Sequence, residues 1–546
     1  MEGKTYKRNV TIASLLIFAV LFVIYFVFHQ KTQYTAADNS SMFQVMLDFF
    51  GGNYLMKHWI VSTSSFMFTD SIWFLPGLLL GIHAPTLMSF CGAVFHAGFV
   101  AVMLYLLLMG EREKIRSPKV AVIVSVIYLM LFAVIPYAGY TMENPVYLYL
   151  NLNEHSGTYL FVVLEILLLH LWRESDYKKK RYPIIFTIYG ILGLMSDSTS
   201  LMVLYGPLCV YSAYFLIWPK VERNRKKDLF LIGDSIAIVV ISSLINKVIK
   251  NMGGMTIRGI GLALLDKPSM IDHAKKLIIK ILLLFGYDNR YGLQINASFI
   301  IACLVSGMVL VSLIYQVVIA LKSKPDRLGL LLSIGIVSNM VGFVFINTGF
   351  DAASRYIMAM PFYGTALIVK FVLAIMSEKQ KLGKAVIAVA LVISMVFGIY
   401  HLVGMRNVPR YADDGEAVAE YIRQKGGGNG FGALFIYTAI SAYTDFDSTI
   451  VPIWWDGGPW YYTHYVLLNE EWYKLDDIHY VVIQSDPNDP YSEFGLRDEF
   501  LRIAGEPDED VVFGQYEILY YENTDLSEFE YSPEFEDEYL RSVGLR

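Results

Sequence analysis

Charged side chains are scarce in this 546-residue chain: they make up 17% of it, while 55% is hydrophobic. Soluble proteins carry about 25% charged residues, so a soluble single-domain globule is excluded and apolar surface must face lipid. The mean hydropathy of +0.46 agrees. Cysteine is almost missing. Cys91, Cys209 and Cys303 all lie in apolar runs and the acidic C-terminal part has none, which excludes a disulfide scaffold. A Gly-rich loop ending in Gly-Lys-Ser/Thr is absent, and with it the phosphate cradle of an ATPase. The span pattern shows no inverted repeat, which weakens a transporter reading.

What charge there is divides sharply. Met1–Val403 holds 35 Lys and Arg against 21 Asp and Glu, a net +14, and Gly404–Arg546 holds 9 against 29, a net −20. A basic, greasy body precedes an acidic domain, and a nucleic-acid binder is ruled out.

A membrane span needs about 20 apolar residues. Val10–Phe28 is the first, behind Lys4, Lys7 and Arg8, and its apolar core is longer than that of a cleaved signal. Ten more follow at Ala84–Met109, Val120–Ile135, Gly157–Trp172, Tyr182–Met195, Leu201–Trp218, Leu229–Ile249, Ala297–Leu321, Leu328–Ile346, Tyr356–Met376 and Ala385–Val403. Ser71–Ile82 and Leu277–Phe285 are about half a span long and read as interfacial or re-entrant helices. The expected fold is therefore mainly α and polytopic, with about 11 spans over 1–403 and loops at 29–83, 136–156 and 250–294.

Lys and Arg in short loops set orientation. Five alternate loops carry them in clusters, from Arg112/Lys114/Arg116/Lys119 to Lys379/Lys381/Lys384, whereas 136–156 has none. The N-terminus is thus expected in the cytoplasm of a plasma-membrane protein, with residues 404–522 outside as a small α/β domain. Helices are expected at Tyr411–Lys425 and Phe494–Ala504, strands at Ala433–Ile436, Thr449–Trp455, His479–Gln484 and Val511–Tyr521. The acidic stretch 523–546 reads as a solvated tail. The aromatic run Ile453–Tyr462 suits sugar stacking, an interfacial belt or core packing.

Chemistry concentrates in the first outer loop. Asp38 stands about two turns beyond the first span, followed by Asp48, Lys57, His58 and Asp70. A carboxylate at the membrane face, partly desolvated, can serve as a general base. Asp38 before Ser40–Phe50 reads equally as a helix cap, and for Asp70 before Ser71 the cap is the favoured reading.

This order of features resembles the C-type (GT-C) membrane glycosyltransferases: a long first span, Asp38 just outside it, an amphipathic helix ending at Gly52-Asn53, and the stretch Lys57-His58-Trp59. An apolar half-helix ending Leu80-Gly81-Ile82 and a second long span complete it. The chain is similar in particular to bacterial relatives of the protein mannosyltransferase and aminoarabinose transferase group. Met195-Ser196-Asp197-Ser198, Ser354-Arg355-Tyr356 and parts of the acidic domain extend the likeness. The resemblance implies transfer of a sugar from a polyprenyl-phosphate carrier to an envelope glycan or protein, with Asp38 as catalytic base and Asp48 and Asp70 as second choices. One departure is Asp38-Asn39 where the family often has an acidic pair, which weakens the case for a metal.

A leaving phosphate needs cations, and Arg binds it bidentately where Lys acts as a point charge. Lys57, Arg258, Arg290 and Arg355 are the outer-face candidates, Arg355 the foremost, although it could equally anchor its helix by snorkelling. His58 lies beside Lys57 in the same stretch. His155 could bind a phosphate, or a metal with Glu143, or simply cap its helix. Asp38, Asp70 and Glu143 offer hard oxygen ligands that suit Mg²⁺ or Mn²⁺, though no spacing demands an ion. Competing readings are a non-catalytic partner in envelope assembly or lipid-linked-sugar transport, and a surface-polysaccharide polymerase or ligase. The topology is checked by C-terminal fusions: alkaline phosphatase should be active and green fluorescent protein dark, and the reverse would invert the orientation.

Overall fold

The computed structural model describes residues 2–32, 37–61, 64–115, 117–134, 155–218, 224–257, 264–287, 292–322, 325–346, 354–378, 380–407, 411–433, 437–454, 461–462, 468–484 and 494–528. Among them, eight helices are long and apolar enough to cross a membrane and three shorter apolar ones accompany them. The long ones are α1 (Glu2–Thr32), α4 (Ala84–Gly110), α6 (Ser156–Glu174), α9 (Arg225–Asn251), α11 (Ala297–Leu321), α12 (Arg327–Phe345), α13 (Ala359–Glu378) and α14 (Gln380–Gly404). The shorter are α5 (Pro118–Phe132), α7 (Arg181–Ser196) and α8 (Gly206–Ile217), the last continuing a π-turn at Leu201–Tyr205. These eleven coincide with the spans expected from the sequence. The protein is a polytopic, mainly helical membrane protein.

Local chemistry fixes where the helices start. Ser117 accepts the Val120 N–H ahead of Pro118, Asn296 accepts from Phe299, and Asp326 accepts from Gly329. Each satisfies an orphan donor of a first turn. The basic loops gather at one end of the bundle. There Lys7 pairs with Glu174 at 2.7 Å, Tyr6 donates to the Leu108 carbonyl, and Lys227 lies over the Tyr177 ring. Lys370, wholly buried, is clasped at the same end by Glu111 and Asp326. Intramembrane Glu165 accepts from the Tyr205 hydroxyl at 2.6 Å, and His96 stacks on Tyr25.

The opposite end carries the first loop and the C-terminal domain. The loop holds α2 (Ala37–Phe50), β1 (Trp59–Val61), a 3₁₀ turn at Ser71–Phe74 and α3 (Leu75–Leu79). Leu79 and Leu80 are 75% and 76% exposed, as an interfacial half-helix requires. The other expected half-span is the end of a longer helix, α10 (Lys267–Leu284). β2 (Thr256–Ile257), after α9, lies at this end too, and after α14 the domain follows: α15 (Tyr411–Gln424), β3 (Asn429–Ala433), α16 (Tyr437–Tyr443), β4 (Ile450–Trp454), β5 (Tyr461–Tyr462) and β6 (Leu468–Asn469). It ends with β7 (Ile478–Gln484), α17 (Phe494–Ala504), β8 (Glu509–Phe513) and β9 (Tyr516–Tyr520). Its sheet runs β5-β4-β3-β7-β9-β8, with β4, β3 and β7 parallel.

The first domain strand runs over Asn429–Ala433, and residues 434–436 of the expected Ala433–Ile436 lie outside the described residues. Two local expectations are corrected. The expected strand Val511–Tyr521 is a hairpin, turned at Gly514 with φ +59°. Of the expected tail 523–546, residues 529–546 lie outside the described residues, while its start is anchored: Leu526 is buried and Asp525 accepts the N–H groups of Asp477 and Ile478.

The domain is fixed to the body. A second sheet, β2-β1-β6, knits the first loop, the segment after α9 and the domain together. Beside α4, His83 reaches Asp445 through Nδ1 at 2.8 Å and Glu416 through Nε2 at 2.8 Å. An imidazole that donates from both nitrogens is a cation, and these carboxylates, Glu416 foremost, raise its pKa from 6.5 to about 9 against partial burial. A raised value means the clamp is complete below about 6.5 and lost as pH climbs through about 9. Exposure of a third of the ring screens it, so on the order of 1 kcal/mol is at stake. Protease cleavage at the α14–α15 junction should therefore accelerate between these pH values in the wild type and show no such rise in His83→Ala.

Candidate functional site

α2 buries Met42, Val45, Met46 and Phe49, an i, i+3, i+4, i+7 stripe, in a methionine-rich cluster with Met56, Trp59 and Phe66. Phe43 points the other way and stacks on Phe74 at 3.8 Å between centroids. The helix is thereby held on two sides, with Asp38 in its first turn.

Beyond β1 the loop descends onto the heads of α6 and α7. Ser64 Oγ donates to Asp197 Oδ1 at 3.1 Å, Phe66 N to the Ser196 carbonyl, and Phe68 N to Ser196 Oγ. Asp197 closes α7 and is 1% exposed. Its carboxylate also accepts from Thr158 Oγ1 at 2.7 Å and Thr199 N at 2.9 Å, and meets His155 Nδ1 at 2.6 Å. Burial alone would raise its pKa, yet the charge and hydrogen bond of His155, with Thr158 and Thr199, hold it at about 2. Asp197 is thus an anion at any cellular pH. His155 sits at a left-handed φ of 74°, where the chain turns into α6.

Asp70, 0% exposed, accepts from Ser156 Oγ at 3.2 Å and from Gly157 N at 3.1 Å. It is a cap, but of α6 and not of the turn that follows it, where its side chain makes no capping bond. Two carboxylates therefore converge on one helix N-terminus, whose positive end favours them. With the Gly157 N–H donated to Asp70, that amide is not available to a phosphate.

The other expected residues are placed as follows. Asp48 accepts from Asn53 Nδ2 and Trp59 Nε1, both at 2.6 Å, and so holds the turn between α2 and β1. Lys57 is exposed in that turn, and His58 faces Glu471 of the domain at 3.5 Å. Arg355 belongs to a 3₁₀ turn at Ser354–Ile357 that leads into α13. The side chains of Asp38 and Arg355, and all of Glu143, Arg258 and Arg290, lie outside the described residues. Among the described residues no group of three or more His, Cys, Asp or Glu is placed to hold a metal ion.

Sequence reasoning missed two members of this arrangement as site residues. Asp197 was visible as an acid at a span's end beside Ser196 and Ser198, but its partner His155 lies 42 residues away. The His83 clamp joins residues more than 300 apart, which no local pattern reveals.

The close approach of the loop to α6 is open to test. A Cβ at Gly157 would lie 2.2 Å from the Thr69 carbonyl oxygen and 2.6 Å from Asp70 Oδ2. Gly157→Ala should lift the loop and destabilise the protein by about 1–3 kcal/mol. Thermal unfolding in detergent reads this, and an unchanged midpoint would contradict the packing.

No family model matches the chain, and no curated protein matches it. A solved structure that is similar is the Archaeoglobus fulgidus oligosaccharyltransferase, tethered by a disulfide bond to an acceptor peptide containing the NVT sequon. The identity is 12%, the match covers 82% of this chain, and the TM-score is 0.43. The chain spans 64% of that protein's length.

Proposed function

We propose that the protein is a membrane glycosyltransferase of the GT-C type, which moves a sugar from a polyprenyl-phosphate carrier to a cell-envelope acceptor on the outer face of the plasma membrane. The observation that carries this reading is the setting of α2. It starts at Ala37, five residues after α1 ends at Thr32, carries Asp38 in its first turn, packs one face into the methionine cluster, and through Phe43 meets Phe74 of the loop and Phe446 of the domain. A base that must meet a lipid-borne sugar belongs at that height.

In this reaction the acceptor hydroxyl or amine attacks the anomeric carbon. The C–O bond to the carrier phosphate breaks, the phosphate keeps the electron pair, and Asp38 takes the proton. Arg355 and Lys57 hold the leaving phosphate, with Arg258, His58 and His155 as further contacts. Asp70 and Asp197 serve by holding the loop. If a divalent cation takes part, Asp38, Asp70 and Glu143 are the oxygen ligands to examine.

Asp38→Asn should abolish envelope glycosylation in a deletion strain while keeping expression and fold. Full complementation by that variant would remove the assignment and favour a non-catalytic partner in envelope assembly.

A further inference from the structure

The domain meets the first loop through a strained turn. Asp445 and Phe446, one residue beyond α16, both adopt left-handed backbone, with φ of 55° and 66°. Glycine is the usual residue where a helix ends this way, and a bulky aromatic there is an outlier. Strain of this kind persists where the side chains are needed.

Both side chains are committed to other parts of the chain. The Asp445 carboxylate accepts the Ala84 N–H at 2.8 Å and meets His83 Nδ1, so it caps α4 from the domain. The Phe446 ring lies 5.8 Å from that of Phe43 on α2, nearly parallel to it, and Phe43 in turn stacks on Phe74. Ala442, on the preceding helix, is buried in the same cluster as Phe43, Phe74 and Leu87. The turn therefore grips the start of α4 with one residue and α2 with the next. Phe43 lies five residues after Asp38, a rise of about 7.5 Å along the helix.

We propose that Asp445 and Phe446 are positioning residues: they set the height and angle of α2, and through it the carboxylate of Asp38. This rests on the reading of Asp38 as the base. The domain is then part of the catalytic apparatus, as well as any surface it offers to an acceptor.

The test uses the full-length protein in membrane vesicles of a deletion strain, which supply their own lipid-linked donor and acceptor. Glycan transfer is normalised to folded protein. Phe446→Ala should lower transfer on the order of ten- to a hundred-fold, since small misplacements of a reacting group cost that much. Phe446→Tyr, which keeps the ring, should restore it. Phe446→Gly should unfold at a higher temperature than Phe446→Ala, because glycine accepts the left-handed backbone, and yet recover no activity. Activity that tracks the ring and not the melting temperature supports positioning; activity that follows melting temperature across the three variants overturns it. If Asp38→Asn is inactive while Phe446→Ala transfers at the wild-type rate, this inference fails and the base assignment stands. If Asp38→Asn is itself active, both fail.

Discussion

The buried carboxylate of Asp197 is the constraint on which the end of the molecule that carries the first loop and the C-terminal domain depends. An anion removed from water must be met by donors or it costs several kcal/mol. Here the donors come from three places: Ser64 on the first loop, Thr158 and His155 at the head of α6, and Thr199 beyond α7. No two of these are neighbours in sequence, apart from the pair on α6. Satisfying one charge therefore fixes the relative position of a loop and two helices. Asp70 repeats the device at the same helix end. The protein buries polar groups at this end, where a lipid-facing surface would need none.

From that staple the order propagates outward along the first loop. The residues just before Ser64 form β1, which pairs with β6 of the domain, and His58 precedes it with a backbone bond to Glu470. Further back, α2 is packed between the methionine cluster, Phe74 and the domain's Phe446. Loop, domain and bundle end thus form one connected body. The linkage gives a physical meaning to the strained Asp445–Phe446 turn, which joins the domain to α2 and α4 at once.

The sequence showed the membrane body clearly, because spans are set by length and apolar content, and eleven helices stand where eleven runs were. The domain's helices Tyr411–Gln424 and Phe494–Ala504 stand where the sequence reading expects them, the first led by Asp413-Asp414 and followed by Gly426-Gly427-Gly428. Its strands are less legible: Gly430 and Gly432 disfavour a strand locally, and β3 is held between β4 and β7 with the Tyr480 ring where a Cβ of Gly430 would stand, a tertiary effect. Asp70 reads as a cap in sequence, but which helix it caps depends on an approach of residues 86 apart. Asp48 looked like a candidate base because it is an acid in the right loop, while the structure engages it with Trp59 and Asn53. Pairings such as His155 with Asp197, or His83 with Glu416, are created by the fold and leave no periodic trace.

The most direct test of the account is a structure of the protein in lipid nanodiscs with a polyprenyl phosphate added. Phosphate density is expected between the first turn of α2, at Asp38, and the Ser354–Ile357 turn that carries Arg355. Phosphate bound elsewhere, with Asp38 and Arg355 facing opposite sides of the bundle, would contradict it.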